Sequence, residues 1–317
     1  MNELLTVGEP LAVYASQDVN QPLSAAHNFQ KFSAGAELNV ATGVTRLGHF
    51  VQYISKIAND AVGKFIFDDL SQKQIGTSYV FQTNDSYTGF YFKQLVDAGD
   101  PEIEYFRNNS AINQLTDEEI AQIDFTGVSY LHITGISIAL SPKLRTVIRH
   151  LINLAHENNV MVIFDPNIRE SLWSSEIQMI ETINLVAQEA DIIIPGLNEG
   201  ARLTGLSKPQ EMADFYFKQG RTSQVILKSG EAGAYSFNRD GEYCHVASFN
   251  VDHVVDTVGA GDGFAAGLIS GLLEHLSMRD CLVRANALGA LAIQSAGDND
   301  GYPTSLELNR FLQLNRV

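Results

Sequence analysis

With 45% hydrophobic and 18% charged side chains over 317 residues, the chain can bury about 75% of the surface it would expose unfolded, which excludes a disordered reading. A formal net charge of −16 with no run of Lys and Arg leaves no basic stripe for nucleic acid, and any anion site must carry its own local positive charge. Cys244 and Cys281 stand outside any C-x-x-C spacing, so neither a disulfide framework nor a zinc site is supported.

Met1 to Gly8 has no basic leader pattern and no stretch approaches about 18 consecutive apolar residues, so a cytoplasmic protein without a membrane partner is expected. Leu4 to Val7 reads as a first buried strand. The segments near Leu11 to Phe32 and Ser86 to Arg107 show short apolar alternations, such as Phe90, Phe92 and Leu95, without an intervening helix. They suit strands outside the main sheet. Ser129 to Thr134, Val160 to Phe164, Asp191 to Ile194 and Gln224 to Leu227 read as further buried parallel strands. His132, inside one of these runs, reads as a satisfied core residue rather than a ligand. Ser141-Pro142 is a cap followed by a first-position proline, and Leu144, Val147, Ile148, Leu151, Leu154 and Ala155 then recur at helical spacing. Gly263 to Leu273 is almost wholly apolar and small, a helix buried on nearly all faces. No repeat of about 20 to 50 residues is visible. Strand, helix, strand in this order predicts an α/β fold with a doubly wound, mostly parallel sheet flanked by helices. Asp165, Arg169 and Glu199 follow strand ends, where such sheets bind ligands.

The Gly263 to Leu273 helix begins in Asp256-Thr257-Val258-Gly259-Ala260-Gly261-Asp262, which places a carboxylate in a first turn beside small residues. The N–H groups of Ala260, Gly261 and Asp262 would leave the helix end toward an anion. Side chains no larger than a methyl at Gly259, Ala260 and Gly261 would let a phosphate approach the backbone. Asp262 could take a proton from an attacking hydroxyl while those amides hold the transferring group. The alternative is a glycine-rich turn with an ordinary first-turn carboxylate. No G-x-x-x-x-G-K-S/T is present, so a P-loop is excluded, and no G-x-G-x-x-G follows the first strand as a dehydrogenase would need.

This run resembles the C-terminal motif of the ribokinase-like (PfkB) family of sugar kinases. Ala34-Gly35-Ala36-Glu37-Leu38-Asn39-Val40-Ala41, followed by Arg46-Leu47-Gly48, resembles the family's N-terminal motif; together they span most of the chain. Ala58 stands where relatives usually have Gly. The resemblance implies a single kinase domain over 1–317, within which about 11–32 and 86–107 form a small β lid over the sugar. It also implies that Gly35 lies against the sugar and that Asn39 reaches its hydroxyls. Thr88-Gly89-Phe90-Tyr91, Tyr105-Phe106-Arg107, Thr134-Gly135-Ile136 and Asp165 to Trp173 look like the substrate segments of family members acting on 2-keto-3-deoxygluconate. Tyr91, Tyr105, Arg107, Ile136 and Arg169 would then line an acid-sugar pocket. The two arginines suit that role because a guanidinium matches a carboxylate bidentately. The other reading for each is a surface ion pair.

The resemblance also implies ATP and magnesium. Lys228-Ser229-Gly230-Glu231-Ala232-Gly233 is similar to a nucleotide-phosphate segment through Lys228, Gly230 and Gly233, though on its own it suits a hairpin turn equally well. Glu199 keeps its place in the family's N-x-x-E segment, where it acts on magnesium through water, while Gly196 replaces the Asn; otherwise Glu199 is a helix N-terminal carboxylate. Asn286 would flank the adenine, and a monovalent cation, K+, would sit near Asp256. The implied function is ATP-dependent phosphorylation of 2-keto-3-deoxygluconate with Asp262 as general base. The rivals are a same-fold kinase of a neutral sugar such as fructose and a nonenzymatic sugar-acid sensor. A homo-oligomer is expected, because an exposed lid edge pairs readily with another subunit.

Overall fold

The computed structural model describes residues 3–251, 254–255, 257–295, 297 and 299–315. Nine strands make the main sheet: β1 (Leu4–Val7), β4 (Val51–Ala58), β5 (Gly76–Thr83), β8 (Tyr130–Thr134), β9 (Met161–Asp165), β10 (Ile192–Ile193), β11 (Gln224–Lys228), β12 (Ala234–Asn238) and β13 (Tyr243–Val246). Their order is β13-β12-β11-β10-β9-β8-β1-β4-β5. All neighbours run parallel except the β11–β12 and β12–β13 pairs. The chain builds outward from β1 to β4 and β5, then returns to the other side of β1 at β8. That reversal opens a crevice at the carboxyl ends of β1 and β8, where an open α/β sheet binds its ligand.

The five strand runs read from sequence all lie in this sheet because each is apolar and buried on both faces, as Leu4, Leu5 and Val7 in β1 and Val162, Ile163 and Phe164 in β9 show. β10 is shorter than the apolar run Asp191 to Ile194. Asp191 instead caps its neighbours, accepting from the Val162 N–H at 2.8 Å and Arg221 Nε at 2.9 Å. The Pro142–Glu157 helix begins at Ser141, whose side chain accepts from the Leu144 N–H, and buries Leu144, Val147, Ile148, Leu151 and Ala155 against the sheet. Ala58 remains the last residue of β4, so its methyl is accommodated within the strand. His132 is fully buried in β8. Its Nδ1 meets Thr6 Oγ1 at 3.0 Å, and its Nε2 has no partner among the described residues. Burial, aided by the Lys228 charge, pushes its pKa down to about 3, so it is a neutral core residue satisfied on one side only.

A second sheet joins β2 (Leu11–Ser16), β3 (Phe29–Ala34), β6 (Phe90–Lys93) and β7 (Ile103–Phe106) in the order β3-β2-β6-β7. Its strands alternate with period two. One face carries Leu11, Val13, Ala34 and Tyr91, which pack together as a small cluster of their own. The other gathers Tyr14, Phe29, Phe90, Phe92 and Phe106 in edge and stacked ring contacts, with Phe90 and Phe106 stacked at 4.9 Å. The first face, continued by Lys93, Ile103 and Tyr105, looks onto the crevice.

Candidate active site

A cavity of about 530 Å³ fills the space between the second sheet and the carboxyl ends of the main strands. It collects residues that the sequence scatters over most of its length: Gly35, Asn39, Tyr91, Tyr105, Arg107, Ile136, Arg169, Glu199, Lys228, Gly259, Gly261 and Asp262 all line it. Ala260 stands in the same helix start without lining the cavity, and its N–H reaches the Thr257 carbonyl at a long 3.4 Å. Gly230, Gly233 and Asn286 lie elsewhere. Gly230 and Gly233 bound the turn joining β11 to the antiparallel β12, so this segment is a hairpin connection that also sets Lys228 at the cavity wall. Asn286 donates to the carbonyls of Val246 and Ala247 at 3.0 and 3.2 Å, which ties its helix to the end of β13. Asp256 lies outside the described residues.

One end of the cavity is built on the Ala260–Leu273 helix. Gly259 caps it at φ 81, a left-handed conformation that costs glycine nothing and a larger residue about a kcal/mol or more. Asp262 sits in the first turn with its carboxylate buried. Asn39 Nδ2 donates to its Oδ2 at 2.8 Å and Asn167 Nδ2 donates to its Oδ1 at 3.2 Å. Asn167 is aimed by a tight turn: it sits at φ 36, and its N–H donates to Asp165 Oδ1 at 3.2 Å. Asn tolerates that conformation better than most residues. The other Asp165 oxygen accepts from Lys228 Nζ at 2.6 Å. Helix geometry points the first-turn amides out of this end, and the Lys228 ammonium lies close by, 3.8 Å from where a Cβ on Gly261 would stand. The arrangement therefore supplies positive potential in front of a carboxylate, the requirement for receiving a phosphoryl group and taking a hydroxyl proton.

Burial pushes the Asp262 pKa up to about 7; the Asn39 hydrogen bond opposes it, the Asp165 charge adds to it, and Arg169 and Lys228 pull it back. With Asp262 as the base, only its ionised form would accept a proton, and kcat/KM is then expected to rise with pH through about 7 and level off above it. A rate profile flat from about pH 5.5 to 8.5 would remove a group of this pKa from the rate. For Lys228, burial works against the charged form, but Asp165, Glu199 and Asp262 outweigh it and hold the ammonium protonated.

Gly261 needs no glycine conformation: it is helical, and a Cβ there would meet nothing nearer than Lys228 Nζ at 3.8 Å. Gly261→Val should accordingly keep the melting temperature within about 3 °C while the added methyls lower kcat about tenfold or more by standing in front of the helix end. Paired thermal scans and initial rates separate the two; equal loss of stability and activity would make Gly261 a folding residue only.

The other end of the cavity is lined by the second sheet and by Gly35, whose φ of 136 and approach to the Glu9 carbonyl, 2.7 Å from an added Cβ, allow only glycine. Arg107 does not stand alone there. Its Nε and Nη2 both donate to Glu9 Oε2, at 2.8 and 2.5 Å, and Ser110 donates to the other Glu9 oxygen. Glu9 is 3% exposed, so this is an ion pair inside the cavity wall rather than at the surface. Arg169 makes a different picture: Nη1 donates to the Ile168 carbonyl at 3.1 Å, and no carboxylate pairs with it among the described residues. Glu37 is wholly buried, accepting from Thr134 Oγ1 at 2.6 Å and Ser137 Oγ at 2.5 Å. Burial raises its pKa against those two hydrogen bonds. Glu199 accepts from the Ile168 and Gly196 N–H groups, each at 2.7 Å, so it caps the Leu197–Thr204 helix and fastens the loop after β9.

Sequence reasoning passed over Glu9, Asn167 and Asn299 as working residues. Glu9 follows the end of β1, and its position one residue past Gly8 was the available signal. Asn299 lies near the end of the chain with no local pattern, and it donates to Asn39 Oδ1 at 2.7 Å.

The model of the pfkB family carbohydrate kinases matches residues 1–305. The chain belongs to that family. A 2-dehydro-3-deoxygluconokinase of Bacillus subtilis (strain 168) is 41% identical to this kinase over 316 residues, covering 99% of this chain and 97% of that one. Among solved structures, a PfkB protein from Polaromonas sp. JS666 is 36% identical with a TM-score of 0.87, covering 98% of this kinase and 99% of that chain. A putative ribokinase II from E. coli in complex with ATP and Mg2+ is 26% identical with a TM-score of 0.88, covering 99% of this kinase and 100% of that chain. The ribokinase-like, mostly parallel α/β fold expected from sequence is thus the fold observed. Among the described residues no helix is long and apolar enough to cross a membrane.

Proposed function

We propose that this kinase transfers the γ-phosphoryl group of ATP to the primary hydroxyl of 2-keto-3-deoxygluconate, giving the 6-phosphate. The carrying observation is one cavity with Asp262 and the Ala260–Leu273 helix end at one side and Arg169 at its wall, in a chain 41% identical to a 2-dehydro-3-deoxygluconokinase. In this reading the second sheet covers the sugar, Gly35 and Ile136 pack against it, and Tyr91 and Tyr105 offer aromatic faces and hydroxyls. Arg169 takes the carboxylate and Arg107, held by Glu9, donates beside it. Asp262 accepts the proton of the attacking hydroxyl while the Gly259 to Gly261 backbone holds the phosphoryl oxygens.

The nucleotide end fits as well. Lys228 and the helix end provide the positive potential for the phosphates, with Gly230, Gly233 and Asn286 on the side toward β12 and β13. No group of three His, Cys, Asp or Glu that could hold a metal occurs among the described residues. Glu199 would hold magnesium through water beside the phosphates, where the ion would neutralise their charge. A monovalent cation, K+, near Asp256 rests on the family resemblance alone. We place self-association on the second sheet, where Phe32, Ile103 and Tyr105 on the cavity face are 37%, 41% and 52% exposed. Light scattering after size exclusion reads the mass; a monomer would refute it.

One observation favours a second reading, a neutral sugar. Glu9 already neutralises Arg107, so the cavity holds less net positive charge than two open guanidinium groups would give. Initial rates of ATP consumption over a panel of sugar acids and neutral sugars decide. The sugar acid should give the highest kcat/KM; a higher value for fructose or ribose would replace the acid reading.

A further inference from the structure

A buried hydrogen-bond chain reaches the reacting carboxylate from the far end of the sequence. Asn299, 6% exposed, donates from Nδ2 to Asn39 Oδ1 at 2.7 Å, and Asn39, 2% exposed, donates from Nδ2 to Asp262 Oδ2 at 2.8 Å. A carboxamide has one accepting end and one donating end, and half a turn about its last bond exchanges them. With its NH2 toward Asp262, Asn39 stabilises the carboxylate form. With its oxygen there, it would stabilise the protonated form, which cannot take a proton from a sugar hydroxyl. In the arrangement observed, the NH2 of Asn299 on the opposite side pairs with the Asn39 oxygen and so favours the first of the two. The segment carrying Asn299 is itself fixed: Arg46 Nη1 donates to the carbonyls of Asn299, Asp300 and Tyr302 at 3.1, 3.1 and 2.7 Å. The Tyr302 hydroxyl donates to the Gly259 carbonyl at 2.7 Å, so the same segment braces the helix cap.

We propose that Asn299 is a positioning residue for phosphoryl transfer, locking the Asn39 carboxamide so that it donates to the ionised form of Asp262. The inference rests on Asp262 being the base, as proposed above. Among the described residues, the charged groups acting on Asp262 are Asp165 at the end of β9, Arg169 in the loop that follows and Lys228 at the end of β11, and the same cavity is lined by Glu9, Glu37, Lys93, Arg107 and Glu199. None of them touches Asn299 among the described residues, so a change there reaches Asp262 through Asn39.

The test is the pH profile of kcat/KM for wild type, Asn299→Leu, Asn299→Asp and Asp262→Asn, on whichever sugar the wild-type protein phosphorylates fastest. Asn299→Leu removes the donor and should move the acid-side midpoint up by about 0.5 to 1 pH unit, with the rate within about threefold of wild type near pH 9. Asn299→Asp offers the Asn39 NH2 an acceptor on the wrong side and should move the midpoint further. A merely structural role, including poor folding of either variant, lowers the rate by the same factor at every pH. That result, or unmoved midpoints, overturns the inference. If Asp262→Asn is inactive while the Asn299 midpoints stay fixed, the relay alone is wrong; if Asp262→Asn keeps near wild-type turnover, the base assignment itself fails.

Discussion

Asp262→Asn is expected to lower kcat by about 10² to 10⁴ while sugar affinity changes by less than about threefold, because the amide keeps the shape of the carboxylate and cannot take a proton. Asn39 would still find an oxygen to donate to. Stability should change little, since relief of a buried carboxylate raised in pKa to about 7 chiefly by burial is set against the Asn167 donor that loses its acceptor. Initial rates, sugar binding by calorimetry and a thermal scan check the three parts. Turnover within about threefold of wild type would leave Asp262 as an ordinary first-turn carboxylate.

Arg169→Ala is expected to reduce kcat/KM for 2-keto-3-deoxygluconate by about 10 to 150-fold, the loss of one charge-assisted hydrogen bond of roughly 1.5 to 3 kcal/mol at about 1.4 kcal/mol per decade. A neutral sugar, where accepted, should change much less. Arg169 is the better probe of the two arginines. Removing Arg107 strands Glu9, a carboxylate 3% exposed, and an unpaired buried charge destabilises the fold whatever the substrate. Steady-state kinetics on one acid and one neutral sugar suffice. Equal losses on both would mean that Arg169 shapes the cavity instead of reading the carboxylate.

The parts of the fold that were legible in the sequence are those set by neighbours along the chain. Ser141 capping the Leu144 N–H, the apolar runs of β1, β8, β9 and β11, and Asp262 in a first helical turn each follow from spacing and propensity over a few residues. The alternation of Phe90 and Phe92 likewise marked strands outside the main sheet, and those strands form the second sheet. The antiparallel edge β12–β13 escaped notice because its short, partly exposed strands carry no continuous apolar run. What joins the site together was not legible for a different reason. Arg107 reaches Glu9 across 98 positions, Asn39 reaches Asp262 across 223, and Asn299 reaches Asn39 across 260. No local pattern encodes such pairs; the reversal of strand order at β1 and β8 creates them. The double character of Lys228 and Glu199 has the same origin. Each satisfies its local reading, a hairpin end and a helix cap, and each is also placed by the sheet at the cavity wall.

The most direct measurement of the central claim is a competition in one tube. Equimolar 2-keto-3-deoxygluconate and fructose are incubated with this kinase, magnesium and a limiting amount of ATP, and the phosphomonoester products are followed by phosphorus NMR. The expected result is a single ester, coupled to the two protons of the terminal carbon of the sugar acid, growing as the γ-phosphate signal of ATP disappears. An ester on fructose, or ATP loss to inorganic phosphate with no ester on either sugar, would contradict the account.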